Sequence, residues 1–345
     1  MKEQKQDEQK ESAGILRDRY IEPPFSILDA RGGNWRQRKN KWLELGIKSE
    51  EGRDAECLIG KNDLDYMPSM KSGVSIFDPA LCELMYKWFC PENGAILDSF
   101  AGGSVRGIVA HKMGYKYTGI ELRPEQVAAN IEQGKEICPG NEPTWICGDS
   151  NQVLDTIHEE FDMIFSCPPY ADLEVYSNDK DDLSNMPYDK FLHLYRSIIL
   201  KSVEKLKTGG FAVFVVGDVR DKDGYYYDFI SDTKKAFIIA GAGLYNEAIL
   251  LDPIGTAMIR ANNFAGSRKL VKIHQNILIF KKQGDISEEL KQKVKTGYEL
   301  SKKCPKCGSL DGIIKRKSSD GRTRFTCQDC LEDIDRSQLG SGLFE

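Results

Sequence analysis

The chain has 345 residues, of which 40% are hydrophobic and 29% charged, and a formal net charge of −5. That is the profile of a globular protein with room for one large domain or two ordinary ones. No apolar stretch approaches the roughly 18 residues of a membrane-spanning helix, and the first ten residues lack the apolar run of a signal peptide. A reducing cytoplasmic setting is therefore expected, in which the ten cysteines build no disulfide framework. The acidic average hides two basic segments. Residues 31–41 carry five basic side chains and no acid, and residues 302–324 carry eight basic against two acidic. Local patches govern contact with phosphate more than net charge does; solvated surface is the plainer reading.

In chain order, residues 1–20 read as a polar tail. Residues 21–73, with Pro23-Pro24 and no clear periodicity, form an N-terminal extension in which Trp35 and Trp42 suit a helix docked on the main domain. From 74 to 283 short apolar runs alternate with helical stretches. Strands are expected at Ala95–Phe100, Lys116–Glu121, Thr144–Cys147, Phe161–Ser166, Phe211–Val216, Leu244–Leu251 and Gln275–Lys281. Helices are expected at Val105–Met113, Pro124–Ile137, Tyr188–Leu206 and Ser231–Ala240. Strands that are apolar throughout belong in a sheet covered on both faces, and the alternation is that of an α/β domain. The last two strands, joined by Asp252–His274 without a helical pattern, suit an antiparallel pair. A polar linker (284–301), a cysteine-bearing module (302–332) and a short tail (333–345) follow.

The first strand runs into Asp98-Ser99-Phe100-Ala101-Gly102-Gly103-Ser104. An acid and then glycines between a strand and a helix make a nucleotide-type turn, since glycine lets a ligand approach the backbone. Glu121 ends the next strand, 23 residues past Asp98, the distance at which an acid accepts ribose hydroxyls. Asp149, after the third strand, is placed to contact an adenine ring. The turns have neither the GxGxxG spacing nor a GK[ST] phosphate loop. An adenosine without phosphates fits better, and S-adenosylmethionine is such a ligand, its ammonium paired with Asp98. On this reading the loss of Asp98 costs cofactor affinity and spares the fold. The alternative for each acid is a helix cap or a solvated strand end.

The fourth strand runs into Ser166-Cys167-Pro168-Pro169-Tyr170. Two prolines stiffen the backbone and remove two N–H donors, leaving carbonyl acceptors at the edge where α/β sheets bind ligands. Tyr170 adds an aromatic plane. Methylation of an exocyclic amine on a base needs such a set. Acceptors for the NH₂ hydrogens localise the lone pair, and the ring stacks on the aromatic, an interaction of about 1–3 kcal/mol per base. A base in a duplex must first be flipped out.

The order of Asp98-Ser-Phe-Ala-Gly-Gly, Glu121, Asp149 and Cys-Pro-Pro-Tyr resembles the amino-methylating DNA methyltransferases, which act on adenine N6 or cytosine N4, and most of all the modification methylases of phages and bacteria. The resemblance covers about residues 74–283. It implies a Rossmann-like sheet, S-adenosylmethionine as methyl donor, double-stranded DNA as partner and base flipping. It also implies that Ser75-Ile-Phe77-Asp78-Pro79 packs on the methionine end of the cofactor. Phe77, Asp78, Asp98, Phe100, Gly102, Gly103, Glu121 and Asp149 are thus the candidate cofactor residues. Two positions depart from the family. Ser99 stands where proline is usual, and Cys167 stands where the tetrad begins with Asp, Asn or Ser. A thiol is a weak acceptor, so the Cys167 carbonyl and the Ser166 hydroxyl are left to share its role. The nearness of Cys to Ser in shape tilts the target toward cytosine N4. A nucleophilic Cys167 requires an activated thiolate, and no histidine flanks it. The rival functions are an RNA base methyltransferase and a non-catalytic DNA-binding protein on the same core.

Cys304-Pro-Lys-Cys307 and Cys327-Gln-Asp-Cys330 form two C-x₂-C pairs with 19 residues between them. Four thiolates at this spacing close a tetrahedral site, and a structural Zn²⁺ ribbon is expected. The basic segment between the pairs suits phosphate contact or a solvated hairpin tip.

Overall fold

The computed structural model describes residues 16–48, 77–140, 142–169, 188–221, 223–255 and 257–284, together with the backbone of three short strands between 313 and 334. The chain divides into two compact units, Met1–Gly284 and Asp285–Glu345.

The first unit is an eight-stranded sheet. Its strands are β1 (Ile27–Asp29), β2 (Ala95–Asp98), β3 (Lys116–Glu121), β4 (Thr144–Cys147), β5 (Phe161–Ser166), β6 (Leu206–Val216), β7 (Ala242–Leu251) and β8 (His274–Lys282), in the order β1-β7-β8-β6-β5-β2-β3-β4. All neighbours run parallel except β8, which is antiparallel to both β6 and β7. The expected antiparallel pair is therefore present, with β8 inserted between β6 and β7. The chain winds outward from β2 through β3 to β4, then returns to place β5 on the other side of β2. That reversal makes the carboxyl ends of β2 and β5 the switch point at which open α/β sheets take ligands. The β2–β5–β6 centre is sealed: Ile96, Leu97, Met163, Ile164, Phe165 and Ala212 through Val216 have essentially no exposure.

The helices expected from the 3.6-residue period are present. α3 (Val105–Lys112) and α4 (Pro124–Ile137) follow β2 and β3; α6 (Tyr188–Lys205) and α7 (Phe229–Ile239) flank β6. α2 (Pro79–Phe89) lies outside the expected set, although its start is marked: Asp78 accepts from Ala80 N at 2.9 Å and proline occupies the first turn, a capped entry that favours a helix. α5 (Ser150–Thr156) is a short helix capped by Asp149. The loop expected between the last strands contains two short helices, α8 (Ala257–Ala261) and α9 (Phe264–Ser267).

The N-terminal boundaries differ from expectation. Residues 16–20 are helical, and Trp88 Nε1 donates to the Tyr20 carbonyl at 2.8 Å. β1 extends the sheet beside β7, with Ile27–Asp29 in register with Ile249–Leu251. α1 (Gly33–Leu43) packs against α2: Trp35 Nε1 donates to Asp78, and Trp42 Nε1 and Arg38 Nη1 donate to the two Glu83 oxygens. The described part of the extension thus belongs to the main unit. Of the five basic residues in 31–41, Arg31, Arg38 and Lys39 face Asp29, Glu83 and Asp78, so the segment is not the uncompensated basic patch its composition implied.

The second unit contains an antiparallel sheet in the order β11-β10-β9, from β9 (Ile313–Lys317), β10 (Thr323–Cys327) and β11 (Asp333–Ile334).

Candidate active site

The end of β2 is a buried polar knot. The Asp98 carboxylate has no exposure. Its Oδ2 accepts from Arg106 Nε at 2.5 Å and the Tyr117 hydroxyl at 2.8 Å; its Oδ1 accepts from the Ser166 hydroxyl at 2.7 Å and Phe100 N at 3.2 Å. A carboxylate offers about four lone-pair sites, and all four are filled by the protein. The expectation that Asp98 faces an ammonium ligand is corrected on this point, because Arg106 already provides its cation. Burial opposes the charge of Arg106, and the Asp98 carboxylate more than offsets it, so its pKa is raised above the ordinary arginine value. Burial, reinforced by the Asp98 charge, pushes the Tyr117 phenol well up, which keeps it a neutral donor.

Arg106 also holds the turn. Its Nη2 donates to the Phe100 and Ala101 carbonyls at 2.5 and 2.8 Å, and its guanidinium lies 4.6 Å from the centre of the Phe77 ring. Phe77 in turn meets Phe165 of β5 edge-on at 5.6 Å. Phe77 is therefore brought to the turn. Asp78 is not: its oxygens serve the α2 cap and Trp35.

Sequence reasoning passed over Arg106. The available signal was one arginine inside the apolar run Val105–Ala110, every residue of which is buried. A charge in such a run must find an opposite charge in the interior.

Gly102 has φ +52° and Gly103 is half-buried beside it. Glu121 Oε2 accepts from Gly102 N at 2.9 Å, and its Oε1 accepts from Arg123 N and Nε. The second acid thus sits against the turn, with a lone pair remaining on Oε2. Phe100 packs on Tyr195 and Phe214, with ring centres 5.9 and 6.2 Å away. Asp149 is half-buried and caps α5 through Asn151 N at 2.9 Å.

β5 leads Ser166–Pro169 to the edge of the sheet beside the glycine turn. Ser166 is fully buried, donates to Asp98 and accepts from Ser99 N at 3.1 Å. Its hydroxyl ties β5 to β2 and is not open to solvent. Cys167 is half-buried, Pro168 buried and Pro169 half-buried. Tyr170 and the acidic stretch 172–182 lie outside the described residues, as do Cys304, Cys307 and Cys330. Cys327 ends β10. Among the described residues no cluster of metal-ligating side chains occurs, and no helix is long and apolar enough to cross a membrane.

Fold and site together place the glycine turn and the start of the proline segment side by side at the switch point of an open α/β sheet. No protein-family model matches the chain, and no curated protein does. Solved structures that resemble it include TrmN from Thermus thermophilus, at 13% identity and a TM-score of 0.42 over 59% of this chain and 48% of that one. Another is the CcbJ methyltransferase from Streptomyces caelestis, at 11% identity and 0.41 over 60% and 90%. A third is the magnesium protoporphyrin IX methyltransferase from Synechocystis PCC 6803 with bound SAM, at 12% identity and 0.35 over 55% and 71%. The chain spans about half the length of TrmN. At these scores the functional reading rests on the residues of the site.

Proposed function

We propose that the protein is an S-adenosylmethionine-dependent methyltransferase that modifies an exocyclic amine of a flipped base in double-stranded DNA, cytosine N4 in preference to adenine N6. The observation that carries this is the Ser166–Asp98 hydrogen bond of 2.7 Å. It ties the proline segment that would hold a base to the glycine turn that would hold the cofactor, at one crevice.

The residues fit the cofactor. A Cβ placed on Gly102 would meet nothing nearer than Arg106 Nη2 at 4.0 Å, so the turn is open to close approach. Glu121 keeps an acceptor beside it for a ribose hydroxyl. When bound, the cofactor supplies an electrophilic methyl group. The chain holds the base so that its amine is aimed there. Cys167, Pro168 and Pro169 offer carbonyls along a segment with two N–H groups missing, and Tyr170 stacks on the ring. Ser166 keeps this segment in register with the turn.

The path of the chain supports a nucleic-acid partner. β7 runs in the same direction as β6, so its carboxyl end opens on the ligand edge, and residues 258–270 that follow are all exposed. From Pro253 to Ile273 there are four basic residues and no acid, with Met258, Ile259, Phe264 and Leu270 uncovered among them. Replacing Arg260, Arg268 and Lys269 together by glutamine is expected to weaken duplex binding and to flatten its salt dependence, by about 0.9 in log–log slope for each phosphate no longer neutralised. An unchanged slope would remove this strap from the DNA interface.

The target is checked by incubating the protein with S-adenosylmethionine and either duplex DNA or structured RNA, then weighing the digested nucleosides. N4-methylcytosine from DNA is expected; N6-methyladenine would change the base, and label confined to RNA would overturn the DNA assignment. Tyr170→Ala is expected to lower turnover about 5–150-fold, the equivalent of one base stack, with cofactor affinity preserved. Equal loss of both would sink the stacking role. Cys167→Ser is expected to remain active because its carbonyl survives the change; an inactive variant, with a trapped protein–DNA adduct in the unmodified enzyme, would favour the nucleophile.

We also propose that Cys304, Cys307, Cys327 and Cys330 bind one structural Zn²⁺. Four thiolates suit zinc, and β10 carries its ligand at its last residue.

A further inference from the structure

We infer that Arg106 forms the subsite for the α-carboxylate of the cofactor's amino-acid moiety, and that this carboxylate, more than the ammonium, anchors the methionine end. The inference rests on the methyl-donor reading above and concerns how that ligand is recognised.

Charge comes first. An acid at the end of β2 invites the expectation of a cation-binding pocket. In the folded chain the acid is neutralised internally, with Arg106 Nε on Asp98 Oδ2 and every acceptor site of the carboxylate filled. The two turn carbonyls that could also receive an ammonium, Phe100 and Ala101, each already accept from Arg106 Nη2. An arriving ammonium would have to share these carbonyls with a guanidinium, whose charge repels it.

The guanidinium is not exhausted. It carries five N–H donors: Nε uses one and Nη2 uses two, which leaves the two on Nη1 without a partner among the described residues. Arg106 as a whole is only 5% exposed. An unpartnered donor pair on a nearly buried, permanently charged group is suited to an anion, and charge-assisted hydrogen bonds are the strong ones.

Position selects which anion. The guanidinium lies 4.6 Å from the Phe77 ring centre, Nη2 lies 4.0 Å from where a Cβ on Gly102 would stand, and Gly102 N is bonded to Glu121. With the ribose on Glu121, Arg106 is the cation that the amino-acid end of the same ligand would meet on the other side of Gly102. The group there that can accept from Nη1 is its carboxylate. Arg106 is held rigidly on three sides, so little side-chain entropy remains to be lost on binding.

A ligand series tests this without disturbing the buried pair. The full-length protein is titrated calorimetrically with S-adenosylhomocysteine, with its analogue lacking the carboxylate (5′-(3-aminopropylthio)-5′-deoxyadenosine), and with its analogue lacking the amine (the 5′-(3-carboxypropylthio) compound). Removing the carboxylate is expected to weaken binding at least about tenfold, the size of one charge-assisted hydrogen bond, and removing the amine to weaken it less. An amine deletion as costly as the carboxylate deletion, or a carboxylate deletion without effect, would overturn the subsite while leaving the methyl-donor reading standing. Absence of binding by S-adenosylhomocysteine itself would overturn the methyl-donor reading, and this inference with it.

Discussion

Replacing Asp98 by alanine is expected to destabilise the main unit by about 3–5 kcal/mol, the cost of stranding one member of a buried ion pair. A domain of this kind has about 5–15 kcal/mol in hand, so the variant should unfold at markedly lower denaturant. The reason lies in the knot at the end of β2. Without the carboxylate, Arg106 Nε, the Tyr117 hydroxyl, the Ser166 hydroxyl and Phe100 N are all deprived of an acceptor, and Arg106 is left charged at 5% exposure. Chemical denaturation of the variant measures the loss directly. Adding Arg106→Met to the same chain removes the stranded charge, so the double variant should be destabilised by less than the sum of the two single ones. A single-variant loss below about 1 kcal/mol, the range of an exposed pair, would show that the carboxylate is not buried in this network. The outcome also bears on the cofactor. Weakened binding by Asp98→Ala would report a collapsed turn as readily as a missing ligand group, so the ligand series, and not this variant, reads out recognition.

Removing zinc is expected to unfold residues 302–332 and leave the main unit intact. The tail strands are five, five and two residues long, and a module this small cannot bury enough apolar surface to order itself. Zinc binding in comparable modules contributes roughly 10–16 kcal/mol at neutral pH, which exceeds the ordering cost. Chelation should therefore abolish amide protection across β9 and β10, while S-adenosylhomocysteine affinity stays unchanged, because the sheet of the first unit lies wholly within Met1–Gly284. Metal analysis of freshly purified protein should give one zinc per chain. Less than half an equivalent, or protection that survives chelation, would dismiss the site. Deleting residues 302–345 should lower affinity for duplex DNA if the basic hairpin contacts phosphate; unchanged affinity would confine the module to a structural role.

Much of the central domain could be read from the residues alone because its signals are local. Apolar runs such as Phe211–Val216 announce strands covered on both faces, and the helical period of Pro124–Ile137 needs no knowledge of what it packs on. The lengths of those runs put Asp98, Glu121 and Ser166 at or beside strand ends, and β2, β3 and β5 end on them. The spacing of the four cysteines is equally local. What each of these groups does is decided elsewhere. Asp98 is a buried ion-pair member, and not an open acceptor, because a turn folds Arg106 back onto it from eight residues away. Ser166 is a tie between strands because β5 returns beside β2 after the chain has visited β3 and β4. β1 is three residues long and carries no pattern of its own; it is a strand because β7, more than 200 residues later, offers it an edge. Alternation of apolar residues records whether a segment will be covered, which is a property of the segment. Partner, charge state and access belong to pairs of segments distant in sequence, and only the closed sheet brings those pairs together.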